Sequence, residues 1–445
     1  MKLWQKNTDS LKEVSRFTIG NDAHLDLYLA PFDVLGSLAH ITMLASIGLL
    51  QKEELKALTA ELISIYGQIE KGKFTIEEGV EDIHSQIELS LTRKLGDIGK
   101  KIHSGRSRND QVLVDIKLFL RSELQSLVKE VKDLFDLLIS LSEKHKKDLL
   151  PGYTHLQLAM PSSFGLWFGA YAESLVDDVV SLQSAYHLTN KNPLGSAAGY
   201  GSSFPLDRKK TTALLGFADL NYNVVYAQMG RGKTEKVVAA AMSHVAATLA
   251  KLSMDASLYL NQHFAFISFP EELTTGSSIM PHKKNPDVFE LIRSRCNALQ
   301  GLPQEITLIT TNLPSGYHRD LQILKEKLFP AFITLKECLR MTCLMLTHIE
   351  VKKNILDDEK YKYLFSVEEV NKLVLSGIPF RDAYRQIGQA IEKGEFHYTV
   401  DINHTHEGSI GNLCNDQIIR LMKEAIAAFD FEKANNALKS LLSKT

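Results

Sequence analysis

The sequence predicts an all-α protein whose centre is a bundle of long helices, and two observations support this fold class. First, the chain has neither glycine nor proline between Asp110 and Leu150, so nothing in that stretch interrupts a helix. Second, apolar residues recur there every three or four positions, from Leu120 to Leu141, which places them on one helical face. We therefore predict one very long helix over residues 110–150.

Four further segments have the same helical spacing of apolar residues. They lie after Pro161 as far as about residue 186, at residues 233–261, at 287–299 and at about 320–348, where Pro330 predicts a kink. The segment at 233–261 repeats apolar residues in steps of four and three from Val238 to Tyr259, which indicates knobs-into-holes packing against partner helices. Such long helices leave apolar stripes for other subunits to cover, so we expect an oligomer.

The helical pattern is shorter and more broken on both sides of this region. It changes near Gly105 and again near Asp357, and residues 376–379 and 408–411 are rich in turn formers. We therefore predict an N-terminal helical domain at residues 1–104, a central long-helix domain at 105–357 and a C-terminal helical domain at 358–445. The one strand-like run that we identify is brief and lies at residues 397–400.

Composition and charge restrict the function. The 445 residues carry 51 Lys+Arg and 53 Asp+Glu, a formal net charge of −2, so the chain lacks the broad positive field of nucleic-acid and anionic-membrane binders. Its four cysteines form no Cys-x-x-Cys pair, which is typical of reduced, cytoplasmic thiols. The N-terminus has no apolar signal core, and no run of about 18 uncharged apolar residues occurs. We expect a soluble cytoplasmic protein with a small-molecule ligand, and no nucleic-acid or membrane partner.

Two polar clusters flank the longest predicted helix. Residues 103–111 bring hydroxyl, amide and guanidinium donors to its N-terminus, which suits a carboxylate ligand; a capping segment with solvated charges is the alternative. Residues 151–157 follow the helix and contain Thr154, which can hold a ligand oxygen, and His155, which can act as an acid or a base. A histidine that is structural or merely exposed is the alternative there.

A third polar cluster, at residues 274–286, carries the most chemical information. Gly276 and two serines give mobility and a nucleophilic or basic oxygen, and Lys283 supplies a cation that favours an ionised serine. Asn285 can orient an anion. A flexible surface loop is the alternative, but Pro281 and Pro286 stiffen the segment.

A fourth polar cluster, at residues 315–325, lies where a turn enters a predicted helix. It contains Tyr317, Gln322 and Lys325, and the last two share a helical face because they are three residues apart. A solvated helix start is the alternative for this cluster.

Three other features favour ordinary structural roles. The glycine-rich residues 195–201 do not follow a strand, so we expect a loop and no dinucleotide site. His404 and His406 lack a third metal ligand at a recognisable spacing, so a polar turn is favoured. Cys338 and Cys343 lie within an apolar helix and are expected in the core.

Taken together, the polar clusters carry the motifs of a known family. The chain has Glu-Asp-Ile-His-Ser at residues 81–85, Gly-Arg-Ser-Arg-Asn-Asp-Gln at 105–111, Gly-Tyr-Thr-His-Leu-Gln at 152–157 and Ser-Ser-Ile-Met-Pro-His-Lys-Lys-Asn-Pro at 277–286. With Leu3 and Trp4 at the start and residues 377–383 near the end, this pattern resembles the argininosuccinate lyase family over nearly the whole chain. The 277–286 loop is shared by the wider fumarase and aspartase superfamily, whereas the 105–111 run is far more specific.

The resemblance implies a fold, a reaction and an assembly. The fold is a central five-helix bundle flanked by two smaller helical domains, in a homotetramer whose active sites are shared between subunits. The reaction is the reversible β-elimination of argininosuccinate to arginine and fumarate, in arginine biosynthesis, without a cofactor or a metal.

The resemblance also implies roles for individual residues. Ser277 and His155 look like the acid–base pair; we prefer Ser277 as the base, and the reverse assignment stays open. Removing a weakly acidic proton next to a carboxylate needs a base beside the carbon and cations or dipoles around the developing charge. The residues that look like substrate-binding or supporting groups are Asn109, Thr154, Asn285, Tyr317, Gln322, Lys325, Lys283 and Ser107.

Departures from the family pattern affect substrate contacts more than chemistry. Ser104 replaces a usual threonine, while Met160 and His282 each replace a usual glutamine; residues 20–23 do not reproduce a substrate-contacting serine. Two alternatives are a sister lyase that releases fumarate, of the adenylosuccinate lyase or aspartase type, and a catalytically silent, crystallin-like relative. The presence of both Ser277 and His155 argues against silence.

Overall fold

The computed structural model describes residues 12–400 and 402–443, so Leu3 and Trp4 lie outside the described residues. Between residue 12 and the longest helix, the chain forms six α-helices. They are α1 (Lys12–Ile19), α2 (Asp22–Leu25), α3 (Ala30–Ser46), α4 (Lys52–Glu70), α5 (Ile83–Leu95) and α6 (Asp97–Lys100), with short 3-10 helices at Asp26–Tyr28 and Lys101–His103. Buried apolar residues of α3, α4 and α5 pack together with Val114 and Leu118, near the start of the longest helix.

The middle of the chain contains the long helices and eight short strands. In order these are α7 (Arg108–Lys144), β1 (Leu149–Thr154), β2 (Gln157–Ser163), α8 (Phe164–Thr189), β3 (Lys191–Asn192), α9 (Arg208–Leu214), β4 (Asp219–Leu220), α10 (Val224–Met229), α11 (Lys233–Leu260), β5 (Ile267–Ser268), β6 (Thr275–Gly276), β7 (Lys284–Asn285), α12 (Asp287–Leu299), α13 (Leu302–Thr310), α14 (Leu324–Thr347) and β8 (Glu350–Val351). Short 3-10 helices lie at Glu271–Leu273 and Arg319–Ile323. The pairs β1–β2, β5–β8 and β6–β7 are antiparallel, and β3–β4 is parallel.

Four α-helices follow among the described residues of the last part of the chain. They are α15 (Ser366–Leu375), α16 (Phe380–Glu392), α17 (Asn415–Ala427) and α18 (Phe431–Leu442), after 3-10 helices at Ile355–Asp357 and Glu359–Phe365. Helix α17 packs on α8, and α18 returns to pack on α3 and α9.

The predicted long-helix bundle is confirmed. Helix α7 packs against α8 and α14, while α11 packs against α8, α12, α13 and α14, and the apolar residues of these helices form one continuous core. By length and hydropathy α11 could cross a membrane, but 56% of its most apolar window is buried inside the protein. The core helix of a bundle passes the same composition test.

Three details of the prediction were wrong. The helix predicted for residues 110–150 ends at Lys144, because residues 149–154 pair with 157–163 as a hairpin. For the same reason the helix predicted directly after Pro161 begins only at Phe164, since Pro161 lies in β2. Ser163 caps this helix, its hydroxyl accepting a hydrogen bond from the Leu166 N–H. Residues 397–400 form no strand, since the backbone N–H of Thr399 donates to the Glu369 carboxylate and not to a neighbouring strand.

The bundle has two ends that matter for function. At the end where α7 begins, the Arg231 guanidinium donates to the carbonyl of Leu321 at 3.1 Å. At the end where α7 finishes, the indole N–H of Trp167 donates to Asp255 at 3.1 Å. The 37 residues of α7 separate these ends by roughly 55 Å at about 1.5 Å per residue.

Candidate active site

The first polar cluster forms a rigid N-terminus for α7. Ser107 is the N-cap residue, and Asp110 completes a capping box by accepting the Ser107 N–H at 2.8 Å. The second carboxylate oxygen of Asp110 accepts the N–H groups of Gly195 and Ala197, each at 2.9 Å. Burial raises the pKa of Asp110 to about 6. The glycine-rich loop, expected only to be a loop, therefore anchors the start of α7.

The turn before α7 is also held in place. Its Gly105 has a φ of +74°, and a Cβ at this position would lie 2.9 Å from Leu206, so a larger residue would be strained. The Nε2–H of buried His40 donates to the carbonyl of Ser104 at 2.8 Å. Burial lowers the pKa of His40 to about 3, which keeps this ring neutral and fixes its role as a donor.

A cavity of about 260 Å³ opens beside this N-terminus. The first and fourth polar clusters meet there, because Asn109, Tyr317, Gln322 and Lys325 all line it. Its other lining residues are Asp22, Asp26, Glu81, Asp82, His84, Arg108, Val112, Arg231 and Arg319. The wall thus carries four carboxyl groups and four permanently basic side chains.

Lys325 is the most deeply buried of the four predicted residues. Its ammonium group donates to Asp26 at 2.6 Å and pairs with Asp22 at 2.7 Å, and its side chain is only 5% exposed. Burial is the main cause that raises the pKa of Asp22 to about 6, while the charge of Lys325 opposes this shift. Lys325 therefore arranges the two acids as well as offering a cation to a ligand.

Gln322 and Arg319 attach the start of the chain to the cavity. The Gln322 amide donates to the carbonyls of Thr18 and Ile19, both at 3.1 Å. Arg319 donates to the Thr18 carbonyl at 2.9 Å and to Glu81 at 3.2 Å, and Glu81 also accepts from Arg108 at 2.9 Å. These contacts shape the rim of the cavity from parts of the chain that are far apart in sequence.

Sequence reasoning missed the acidic half of this cavity. Asp22 and Asp26 were not selected, although their spacing of four places both on one side of a helical turn. Arg231, which lies 6.0 Å from the Tyr317 ring centroid, was also missed. The available signal for Asp22 and Asp26 was a charged residue in a segment otherwise rich in apolar residues, whereas Arg231 lies between two glycines just before a helix start.

The second polar cluster lies at the opposite end of α7. Thr154 and His155 are exposed at the tip of the β1–β2 hairpin, where His155 and Leu156 have φ values of 54° and 58°. Two consecutive left-handed residues are typical of a tight hairpin turn. Leu156 is 76% exposed, so the tip projects away from its own subunit.

The third polar cluster forms another hairpin, β6–β7, at this same end. The Ser277 hydroxyl oxygen accepts the N–H groups of Ile279 at 3.3 Å and Met280 at 3.1 Å. Lys283 is exposed and Asn285 is half-buried. The preceding segment touches the other hairpin, since the rings of Tyr153 and Phe264 lie 5.4 Å apart. The chain therefore brings the candidate acid–base residues to one end and the candidate binding cavity to the other.

Comparison with known proteins identifies the family. A family model described as Lyase matches residues 2–301. An argininosuccinate lyase of Parabacteroides distasonis is 65% identical over 99% of this chain and 99% of its own length. The chain belongs to the argininosuccinate lyase family. A family member from Bacteroides fragilis is 62% identical over 100% of this chain and 99% of its own, and one from Xanthomonas axonopodis pv. citri is 37% identical over 92% and 93%.

Solved structures that resemble this member of the argininosuccinate lyase family agree on the fold. EDDS lyase in complex with formate has a TM-score of 0.73 at 22% identity, covering 98% of this chain and 95% of its own. A class II fumarase from Schistosoma mansoni has a TM-score of 0.68 at 15% identity, covering 93% and 95%. At these identities the likeness shows the fold alone, and that fold is the predicted one.

Proposed function

We propose that the protein catalyses the reversible β-elimination of argininosuccinate to arginine and fumarate, a step of arginine biosynthesis. The observation that carries this proposal is full-length identity of 61–65% to argininosuccinate lyases from several Bacteroidetes. The cavity supports it chemically. A wall with four acids and four bases suits a substrate that itself carries carboxylates, an ammonium group and a guanidinium group.

Ser277 is proposed as the base that removes the proton next to the carboxylate. Two backbone N–H groups already point at its oxygen, and donors of this kind favour the ionised form of an oxygen acid. Lys283 lies in the same loop and adds a positive charge. His155 is proposed to protonate the departing nitrogen, a role that suits an imidazole near neutral pH.

Substrate contacts are proposed for both ends of the bundle. Asn109, Tyr317, Gln322 and Lys325 act from the cavity, where Ser107 supports Asn109 by accepting its backbone N–H at 3.3 Å. Thr154 and Asn285 act from the two hairpins. The reaction needs neither a metal nor a nucleotide, because fixed cations and backbone dipoles stabilise the charge that develops.

These residues form one site only if different subunits supply them. Asn109 and His155 lie at opposite ends of a helix about 55 Å long, far beyond the size of any substrate of this class. The long helices also expose apolar side chains: Val180 is 50% exposed, Met254 49% and Leu291 58%. We propose that a cytoplasmic homotetramer covers these faces and joins the cavity of one subunit to the hairpins of others.

Substrate comparison tests the function. The purified protein should release fumarate from argininosuccinate, and do so at least as fast after dialysis against a chelator. Adenylosuccinate and aspartate, offered at the same concentration, should give far slower release. Faster turnover of either sister substrate would replace the proposed function, and activity that depends on an added divalent ion would refute the metal-free mechanism.

A further inference from the structure

A group of buried charges lies directly behind the substrate cavity. It consists of Asp33, His84, Asp115 and Arg106, whose relative exposures are 2%, 7%, 0% and 9%. None of them was selected from the sequence as a site residue. His84 alone of the four also lines the cavity, so the group connects the protein interior to the substrate.

The four side chains touch in a definite order. The Nδ1 atom of His84 is hydrogen bonded to Asp33 and lies 3.5 Å from a carboxyl oxygen of Asp115. Ser37 donates to the other oxygen of Asp33 at 3.3 Å, and Arg106 donates to the Ser37 hydroxyl at 3.1 Å. The two carboxyl groups and the imidazole nitrogen lie within 4.8 Å of one another.

Two acids this close in a dry interior cannot both be ionised at little cost. Burial and the negative charge of Asp33 raise the pKa of Asp115 well above its usual value. Burial works against ionisation of Asp33 too, but the charge and hydrogen bond of His84, with the charge of Arg106, hold its pKa below the usual value. The geometry therefore favours one carboxylate, Asp33, and one neutral acid, Asp115.

The same contacts set the charge of His84. Burial lowers the pKa of this imidazole, yet the charge and hydrogen bond of Asp33 outweigh burial and raise it, which favours the imidazolium. The other charged or titratable groups near the cluster are Asp26, Asp82, Glu88, Asp110, His40, His103 and Arg108. The four acids among these seven groups add to the stabilisation of a positive ring, whereas the Arg108 guanidinium opposes it.

The imidazolium has one donor left for a ligand. Its Nδ1–H points to Asp33. Its Nε2 makes no hydrogen bond with the described residues, and the ring lines the cavity. The four other cations of the cavity already have partners: Lys325 pairs with Asp22 and Asp26, Arg108 and Arg319 both pair with Glu81, and Arg231 donates to the carbonyl of Leu321.

We propose that Asp33 and Asp115 have opposite charge states that together fix His84 as an imidazolium, whose Nε2–H binds a carboxylate of the substrate. Asp33 and Asp115 are positioning residues, and only His84 touches the substrate. Asp115 shares its proton with Asp33 and keeps that carboxylate turned towards His84. The inference deepens the proposed function and depends on it for the identity of the substrate.

Replacing each aspartate by asparagine separates their roles, because each change keeps the shape of the side chain and replaces one carboxyl oxygen by an NH2 group that cannot ionise. In Asp33→Asn the ring loses its counter-charge and becomes neutral at pH 8, so Nε2 becomes an acceptor and repels a carboxylate. We expect KM for argininosuccinate to rise about 10- to 100-fold with a smaller change in kcat. Lowering the pH should recover part of this loss only below the usual pKa of histidine, because burial lowers the pKa of a ring that has lost its counter-charge.

Asp115 should behave in the opposite way. Its neutral acid is mimicked by asparagine, so we expect Asp115→Asn to change KM less than about threefold, with the wild-type pH profile. Asp115→Ala removes the donor to Asp33 and should raise KM, and rescue by asparagine marks a role in hydrogen bonding without charge. A KM rise in Asp115→Asn equal to that in Asp33→Asn would overturn the proposal.

A second variant covers the case in which Asp33→Asn does not fold. His84→Asn, checked by circular dichroism, should raise KM without recovery at low pH; an unchanged KM overturns the proposal. Calorimetric binding of L-arginine and of fumarate to wild type and His84→Asn shows which carboxylate is bound, and unchanged binding of both would also overturn it. Failure of the wild type to turn over argininosuccinate contradicts the proposed function instead, and the same calorimetry still decides the role of His84.

Discussion

Two inactive variants, Asn109→Ala and His155→Ala, should regain activity when they are unfolded together and reassembled. The physical reason is the length of α7, whose 37 residues hold these side chains roughly 55 Å apart in one chain. A working site must therefore take Asn109 from one subunit and His155 from another. In a mixed tetramer, some sites draw both intact residues from different parents.

The size of the recovery follows from the geometry. In an equal mixture, half of the chains carry an intact Asn109 and half an intact His155. If each site draws the two residues independently, roughly one quarter of the sites are complete, so the mixture should reach about a quarter of wild-type turnover. Fumarate formation measures activity, and size-exclusion chromatography with differently tagged parents verifies that mixed tetramers have formed.

A matched pair from one end of the molecule is the control. Asn109 and Gln322 line the same cavity of one chain, so a mixture of Asn109→Ala and Gln322→Ala leaves every cavity with one defect and should show no recovery. Equal recovery in both mixtures, or none in the first despite mixed tetramers, would refute the shared-site argument.

Three other predictions concern the acid–base residues and a buried acid. Ser277→Ala should keep the fold and lower kcat by a factor of about 10²–10⁴; normal turnover would remove Ser277 from the mechanism. His155 and Ser277 variants, each inactive, should also complement in mixed tetramers, as the family resemblance implies, and absence of recovery would place both residues in one chain. Because burial raises the pKa of Asp22 from 3.8 to about 6, the folded state binds that proton more tightly. This stabilisation is present below about pH 4 and is lost as the pH rises through 6, by roughly 3 kcal/mol. Asp22→Asn should flatten this part of the pH–stability curve, measured by urea unfolding, and parallel curves would contradict the assignment.

The long helices could be predicted because their signal is local. Absence of glycine and proline between Asp110 and Lys144, with apolar residues on one face, identifies α7 from its own residues. Its end could not be predicted in the same way. The hairpin that replaces the last predicted turn depends on pairing of Leu149 with Ser163, and strand pairing is a contact between separate segments that leaves little trace in either one.

The residues of the site also separate into those with a local sequence signal and those without one. Asn109, Tyr317, Gln322 and Lys325 lie in polar clusters next to helix starts, and the family resemblance implied their role in binding. Their acidic partners were not found, since Lys325 meets Asp26 across 299 residues of sequence. The buried pair of Asp33 and His84 was missed for the same reason, because 51 residues separate its members.

The central claim is that each substrate site is built from several subunits. A crystal structure of the Ser277→Ala variant with argininosuccinate tests it most directly, since the substrate would be trapped before elimination. We predict one substrate molecule that contacts Asn109 and Lys325 of one subunit, His155 of a second and the 274–286 loop of a third. A substrate whose protein contacts all come from a single chain, or one bound away from the 260 Å³ cavity, would contradict the account.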